Sequence, residues 1–302
     1  MHIPVLLNEV ITLLDPKKGQ VIVDGTFGAG GYTRAILEKA DCKVIAFDRD
    51  SSVTPTALEF KKQYGERFEF INDLNSNLSE HLEKADAVVF DFGVSSMQID
   101  QPERGFSFLK DGPLDMRMNQ GQGTSAEEVV NSFSPYDLAD IIYSFGDERA
   151  SRKIAGAIIE ARKIDKITTT KRLAEIVATV LGGQHQEIHP ATRTFQALRI
   201  YVNDELGEIK LALENSVKIL GSKGKLLAVS FHSGESKIVK DYFNLLCGKL
   251  EKPNRHLPVF QEQIMPAEFL PLGKGTVLAS EEEIKNNVRA RSAQLRGVIR
   301  AT

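Results

Sequence analysis

Gln20-Val21-Ile22-Val23-Asp24-Gly25-Thr26-Phe27-Gly28-Ala29-Gly30-Gly31 is the stretch that decides how this chain folds. Its apolar run ends in an acid and reads as a short buried strand. The glycines that follow admit positive φ and let a ligand approach the backbone closely. Residues 32–39 then carry helical spacing, and 43–48 read as a second strand ending in Asp48. A carboxylate at that place can accept hydrogen bonds from ribose hydroxyls. Strand, glycine loop, helix, strand and acid together describe a site for an adenosine-containing cofactor. The competing reading is a tight turn with no ligand.

The rhythm continues outward. Residues 54–64 predict a second helix opened by Pro55. Residues 67–71 and 86–91 predict a third and a fourth strand. Alternation of this kind implies a parallel sheet with helices on both faces, and right-handed crossovers favour a doubly wound order. After Asp91 the alternation stops. Residues 93–125 are rich in Gly, Ser, Asp and Pro without a period, and a loop of that length is usually functional. Segments 135–144, 149–163, 168–181 and 192–206 then have helical spacing. Thr192 is a candidate cap for the last of them. A helix over 208–220, a strand over 225–230 and a helix over 237–246 resume the alternation, and extended segments near 259–264 and 293–299 could complete the sheet. The expected architecture is α/β: a Rossmann-like, doubly wound core of residues 1–103 and 207–302, with a mainly helical domain, 104–206, inserted.

A chain of 302 residues allows about two domains. Its hydrophobic and charged fractions, 42% and 26%, are those of a folded globular protein and argue against disorder or a coiled coil. Cys42 and Cys247 have no CxxC spacing, which excludes a zinc ribbon and a disulfide framework. With no signal-like N-terminus and no apolar run of about 18 residues, a cytoplasmic location is expected. The net charge of −3 is unevenly spread. Residues 1–100 hold 10 basic and 16 acidic side chains, whereas 149–172 hold eight bases against Glu160 and Asp165. A basic patch on an acidic chain can face phosphates; its alternative is a solvated helix face.

Charge also chooses between cofactors. A nicotinamide dinucleotide site wants G-x-G-x-x-G beneath a pyrophosphate. Here Thr33 replaces the third glycine, and Asp24 would oppose the phosphates. An acidic strand end suits a cationic donor such as S-adenosyl-L-methionine. Further candidates sit at the other strand ends. Asp91 and Gln98, in Asp91-Phe92-Gly93-Val94-Ser95-Ser96-Met97-Gln98, are placed to touch cofactor or substrate. Ser95 also suits simple turn chemistry. His232, in Ser230-Phe231-His232-Ser233, can accept a proton or serve as a structural histidine.

With these strings stand His2-Ile3-Pro4-Val5-Leu6-Leu7-Asn8-Glu9-Val10, Arg104-Gly105-Phe106-Ser107-Phe108, Gly112-Pro113-Leu114-Asp115-Met116-Arg117-Met118, Phe145-Gly146-Asp147-Glu148-Arg149-Ala150-Ser151-Arg152 and Ala191-Thr192-Arg193-Thr194-Phe195-Gln196-Ala197-Leu198-Arg199. On them the chain resembles the MraW/RsmH family of bacterial 16S rRNA cytosine-N4 methyltransferases, along nearly its full length. The resemblance implies methyl transfer from S-adenosylmethionine to the N4 amine of a cytosine of the small ribosomal subunit, cytosine 1402 near the P site. It implies cofactor contacts at Gly30, Gly31, Tyr32, Asp48, Asn75, Asp91 and Gln98, which join Asp24 and Gly28 of the loop. Asp91, His232 and Ser95 are the catalytic candidates. Arg117, Arg152, Arg162, Lys163, Arg193 and Arg199 are the candidate RNA contacts. No metal is expected, because a sulfonium already activates its methyl group. The oligomeric state is open between monomer and homodimer. The chain departs from the family pattern at Tyr32 (His in the family), Asn75 (an aromatic), Met97 (Pro), and Gly234 and Ser236 (Leu and Asp). Two other readings remain: a nicotinamide-dependent oxidoreductase, and a non-catalytic RNA-binding assembly factor.

Overall fold

A computed structural model describes residues 4–182, 189–249 and 267–301. The chain divides into two compact units, Met1–Gly93 with Leu206–Thr302, and Val94–Glu205. The elements of the first stretch are α1 (Leu7–Leu14), β1 (Val21–Asp24), α2 (Gly31–Lys39), β2 (Lys43–Phe47), α3 (Thr54–Tyr64), β3 (Phe68–Ile71), α4 (Leu78–His81) and β4 (Ala85–Asp91). The second unit holds α5 (Ser96–Asp100), α6 (Ala126–Ser132), α7 (Pro135–Gly146), α8 (Ser151–Ile164), α9 (Thr170–Leu181) and α10 (Thr192–Asn203). The chain then runs through α11 (Glu205–Ile219), β5 (Leu220–Ser230), α12 (Ser233–Leu246), β6 (Phe269–Pro271), β7 (Val277–Leu278), α13 (Glu281–Asn286) and β8 (Gln294–Arg300).

The sheet order is β3-β2-β1-β4-β5-β8-β6, with β7 also paired to β8. Strands β1 to β5 run parallel and β8 runs antiparallel to β5. The order reverses between β1 and β4, where an open α/β sheet places its ligand crevice. Strands 21–24, 43–47 and 85–91 are apolar apart from Asp24, Lys43, Asp86 and Asp91 because both sheet faces are covered. On one face Val23, Val88, Phe90, Leu226 and Ala228 pack with Ile209, Leu213, Val239 and Phe243 of α11 and α12. The second unit has its own core, in which Leu138, Ile142, Ile154, Ile158, Leu173, Val177 and Leu198 meet. Among the described residues no helix is long and apolar enough to cross a membrane.

Three local differences from the sequence reading have physical causes. The helix expected over 192–206 is two helices. Asp204 adopts φ +46, and the side chain of Asn203 turns away to bond Met118 N and Met116 O, both at 2.8 Å. Thr192 is the first residue of α10 and not its cap; Ala191 stands at the cap without a side-chain bond. Strand β5 begins five residues earlier than expected. The extended segment expected near 259–264 lies outside the described residues.

The loop after β1 owes its glycines partly to packing. A Cβ on Gly25 would lie 2.1 Å from the ring of Phe90, and one on Gly31 would lie 2.1 Å from Pro4. Gly156, in α8, has nothing within 4 Å of that position. Gly25→Ala should therefore cost about 1–3 kcal/mol by overpacking. Gly156→Ala should gain roughly 0.5–1 kcal/mol as a helix-interior replacement. Thermal melts of the two variants, run side by side, should move in opposite directions.

Candidate active site

Sheet register sets the site. Asp24 pairs with Ala46 of β2 and Val89 of β4, so Asp48 and Asp91 stand two residues further along their strands. Val229 of β5 is opposite Asp91. All three acids thus gather at one edge of the first unit.

Each acid has a different task. Asp24 is fully buried: Oδ2 accepts from Thr33 Oγ1 at 2.7 Å and Oδ1 from Thr26 N at 3.2 Å. It ties the glycine loop to the first turn of α2 from inside. Burial raises its carboxyl above the ordinary range. Asp48 is half-buried; Oδ2 accepts from Gly28 N at 2.8 Å and Oδ1 from Asp50 N at 2.9 Å. Burial pushes it up to about 6, against those hydrogen bonds. The backbone N–H of Asp91 donates to Thr26 Oγ1 at 2.7 Å. Its Oδ1 is buried and has no hydrogen-bond partner among the described residues. Burial raises Asp91 well above the carboxylate range, and the negative charges of Asp24 and Glu235 raise it further.

The loop itself supplies backbone. Gly28 and Gly30 hold φ +51 and φ +75, the left-handed region that glycine tolerates. Gly30 is the N-cap of α2 and contributes no side-chain cap. The Gly31 and Tyr32 amides of α2 therefore stay available to an anionic group, whereas that of Thr33 bonds Asp24. Tyr32 is buried and its hydroxyl donates to Val5 O, so its side chain holds the N-terminal segment. Asn75 begins a short 3-10 turn after β3 and is half-buried.

His232 caps α12. Its Nδ1 accepts from Glu235 N at 3.5 Å, while Glu235 Oε2 accepts from Phe231 N at 2.6 Å and His232 N at 3.3 Å. Its Nε2 lies 3.1 Å from Glu235 Oε1 without hydrogen-bond alignment. This is a capping box with histidine in the usual serine position. Glu235, fully buried, is a site residue that the sequence reading missed. The H-x-x-E spacing was its only signal.

In the second unit Ser95 and Gln98 form another capping box, at 3.3 and 3.0 Å, and Gln98 is buried. Of the candidate RNA contacts, Arg117 forks onto Asp115 at 2.9 Å through two nitrogens, and Arg199 forks onto Glu205 at 2.8 Å through two. Bidentate pairs of this kind fix the guanidinium. Arg162 donates to Val130 O at 2.7 Å. Lys163 pairs with Glu160 on the surface, and Arg193 reaches Asp147 O at 3.2 Å. Arg152 and Arg193 are exposed. Phe108 packs on Phe195 and His189, which gives it a core role.

Fold and site together define a Rossmann-like methyltransferase core, with a strand edge rich in acids and a glycine loop. The chain belongs to the MraW methylase family, whose model matches residues 1–301. The chain is 50% identical over 300 residues to a ribosomal RNA small subunit methyltransferase H of Rickettsia bellii, covering 98% of this chain and 97% of that one. It is 49% identical over 305 residues to its namesake in Maricaulis maris, covering 99% and 91%. A crystal structure of an rRNA methylase from Streptococcus thermophilus aligns over 100% of this chain and 99% of that one, with TM-score 0.45 and 11% identity.

The family's methyl donor is S-adenosylmethionine. The residues present fit it. The unmet Oδ1 of Asp91 and the negative charges around it favour a cationic ligand end, and the uncapped start of α2 offers amides to a carboxylate.

Two measurements check these assignments. The folded pKa of Asp48, about 6, lies above its unfolded value, so folding binds a proton between them. Its stabilising contribution is complete below about pH 4 and lost as pH rises through about 6. The melting temperature of Asp48→Asn should accordingly fall less than that of the parent between pH 4 and 7. Separately, His232→Ala should lose about 1 kcal/mol from the missing cap and His232→Asn should recover most of it, read by urea titration.

Proposed function

We propose that this protein transfers a methyl group from S-adenosylmethionine to the N4 amine of a cytosine in 16S rRNA, with cytosine 1402 near the P site as the target. The observation that carries this reading is the buried, unpartnered Oδ1 of Asp91 at the end of β4. A cytosine amine is a weak nucleophile because its lone pair is delocalised into the ring. A carboxylate oxygen that accepts N4–H localises the pair and takes the proton after transfer. The names of the curated relatives support a small-subunit RNA as substrate.

The roles divide as follows. Bound S-adenosylmethionine supplies a methyl already activated on sulfur. Asp48 holds Gly28, and with it the loop, and its carboxylate faces the ribose. The backbone N–H groups of Gly31 and Tyr32 would hold the donor's carboxylate, while Gly30 N–H donates to Phe27 O and shapes the turn. Asp24 keeps the loop in place from below, and Asn75 borders the adenosine. Asp91 orients the amine about 3 Å from the methyl carbon, in line with the breaking bond. Transfer to cytosine C5 would require a thiolate nucleophile. Burial raises the thiols of both Cys42 and Cys247.

The inserted helical region, 104–206, is the substrate-recognition domain in this reading. Arg152, Lys163 and Arg193 present charge at its surface and contact RNA phosphates, which sets affinity more than sequence. Arg117, Arg162 and Arg199 shape that surface from within. The target base leaves its stack to reach the donor. A cytoplasmic location follows from the substrate.

The test uses small subunits from a strain lacking the enzyme. Purified protein and labelled S-adenosylmethionine should methylate one nucleotide, mapped by mass spectrometry to N4 of cytosine 1402. Asp91→Asn should lower kcat by at least about a hundredfold, in the range expected for loss of a positioned acid or base. Label at another atom or on no RNA, or a fully active Asp91→Asn, would sink the proposal.

A further inference from the structure

The turn that leaves β5 holds an aromatic ring, Phe231, beside the acid at the end of β4. Phe27, Phe47, Phe60, Phe68, Phe90 and Phe92 are buried. Phe231 is half-buried and has no ring partner among the described residues. It lies two residues beyond Val229, the residue opposite Asp91, and Gly93 lies two residues beyond Asp91. Gly93 holds φ +97, so glycine is required there by conformation. A Cβ at Gly93 would stand 3.5 Å from Phe231 Cδ2 and 3.5 Å from Glu235 Oε1. Those are ordinary contact distances, so the ring lies alongside Gly93, two residues from the acid that receives the amine.

The ring is also held with unusual care. Glu235 Oε2 receives the backbone N–H of Phe231 at 2.6 Å and of His232 at 3.3 Å, from a side chain with no solvent exposure. Burying a carboxylate is costly, and it is tolerated where it is hydrogen-bonded and fixes something. What it fixes is the backbone that carries Phe231.

We propose that Phe231 is the platform on which the target base stacks, and that Glu235 is the positioning residue that fixes it. This rests on the reading of the protein as a nucleobase amine methyltransferase. A flipped pyrimidine needs one face covered to hold its amine in line with the donor. Stacking on an aromatic is worth roughly five- to a hundredfold in affinity per base and tolerates any ring with a π-face. Phe231 covers the base and Asp91 takes its amine edge.

The experiment compares Phe231→Leu, Phe231→Tyr, Glu235→Gln and Glu235→Leu with the parent. It measures steady-state methylation of undermethylated small subunits and S-adenosylmethionine affinity by calorimetry. Phe231→Leu should lower kcat/KM for the subunit at least fivefold and leave donor affinity within twofold. Phe231→Tyr should stay within threefold of the parent, because it stacks as well. Glu235→Gln still offers an oxygen to both N–H groups and should stay close to the parent, whereas Glu235→Leu should match Phe231→Leu. An undiminished Phe231→Leu, a Phe231→Tyr as defective as the leucine variant, or a parallel loss of donor affinity would each overturn the proposal. A parent protein inactive on subunits would instead overturn the reading beneath it.

Discussion

The site depends on one buried interaction, the carboxylate of Asp24 bonded to Thr33 Oγ1 and Thr26 N. A buried acid of this kind is costly unless its oxygens are satisfied. Both are satisfied here, and the result is a loop pinned at two points between β1 and α2. From that loop Thr26 reaches across to Asp91 N, and Gly28 reaches Asp48. One side chain thus sets the spacing between three strand ends. Burial raises all three carboxyls, and neighbouring acids raise those of Asp48 and Asp91 further. In the proposed reading a cationic donor end offsets that burden.

Much of this was legible in the sequence, and for a simple reason. Strands covered on both faces are apolar from end to end, and here they close in acids, so the strand ends and the site candidates declare themselves together. Asp24, Asp48 and Asp91 were readable in that way. Pro55 at the first turn of α3 and the glycines after β1 were readable as local conformational demands. What escaped was whatever depended on partners distant in sequence or on an uncommon local choice. Nothing in 192–206 marks the break at Asp204, because the side chain that accompanies it, Asn203, bonds Met116 and Met118 some 85 residues earlier. Helix α5 has five residues, too few to show a period. Glu235 was hidden because its cap partner is a histidine, where serine or threonine would have announced the box. The arginines of the second unit looked alike on paper. Backbone geometry decided that Arg117 and Arg199 turn inward onto acids while Arg152 stays outside.

The acids of the site also differ in what substitution would remove. Asp24 and Asp48 have both oxygens bonded within the protein, one of each to the loop, so loss of either first disturbs protein structure. Asp91 keeps one oxygen uncommitted. Chemistry is expected from the residue whose bonding capacity the fold has left unspent.

The insertion has a consequence for the nascent chain. Strand β4 ends at Asp91 and its neighbour β5 begins only at Leu220, with Val94–Glu205 in between. During synthesis β4, with Val88 and Phe90 on it, stays an unpaired strand edge while more than a hundred further residues emerge. An exposed apolar edge is a template for intermolecular pairing. The second unit carries its own core and can collapse during that interval, which shortens the effective loop that β4 and β5 must close. The helical domain thereby doubles as a folding aid, and a truncated one would be felt first as aggregation during expression.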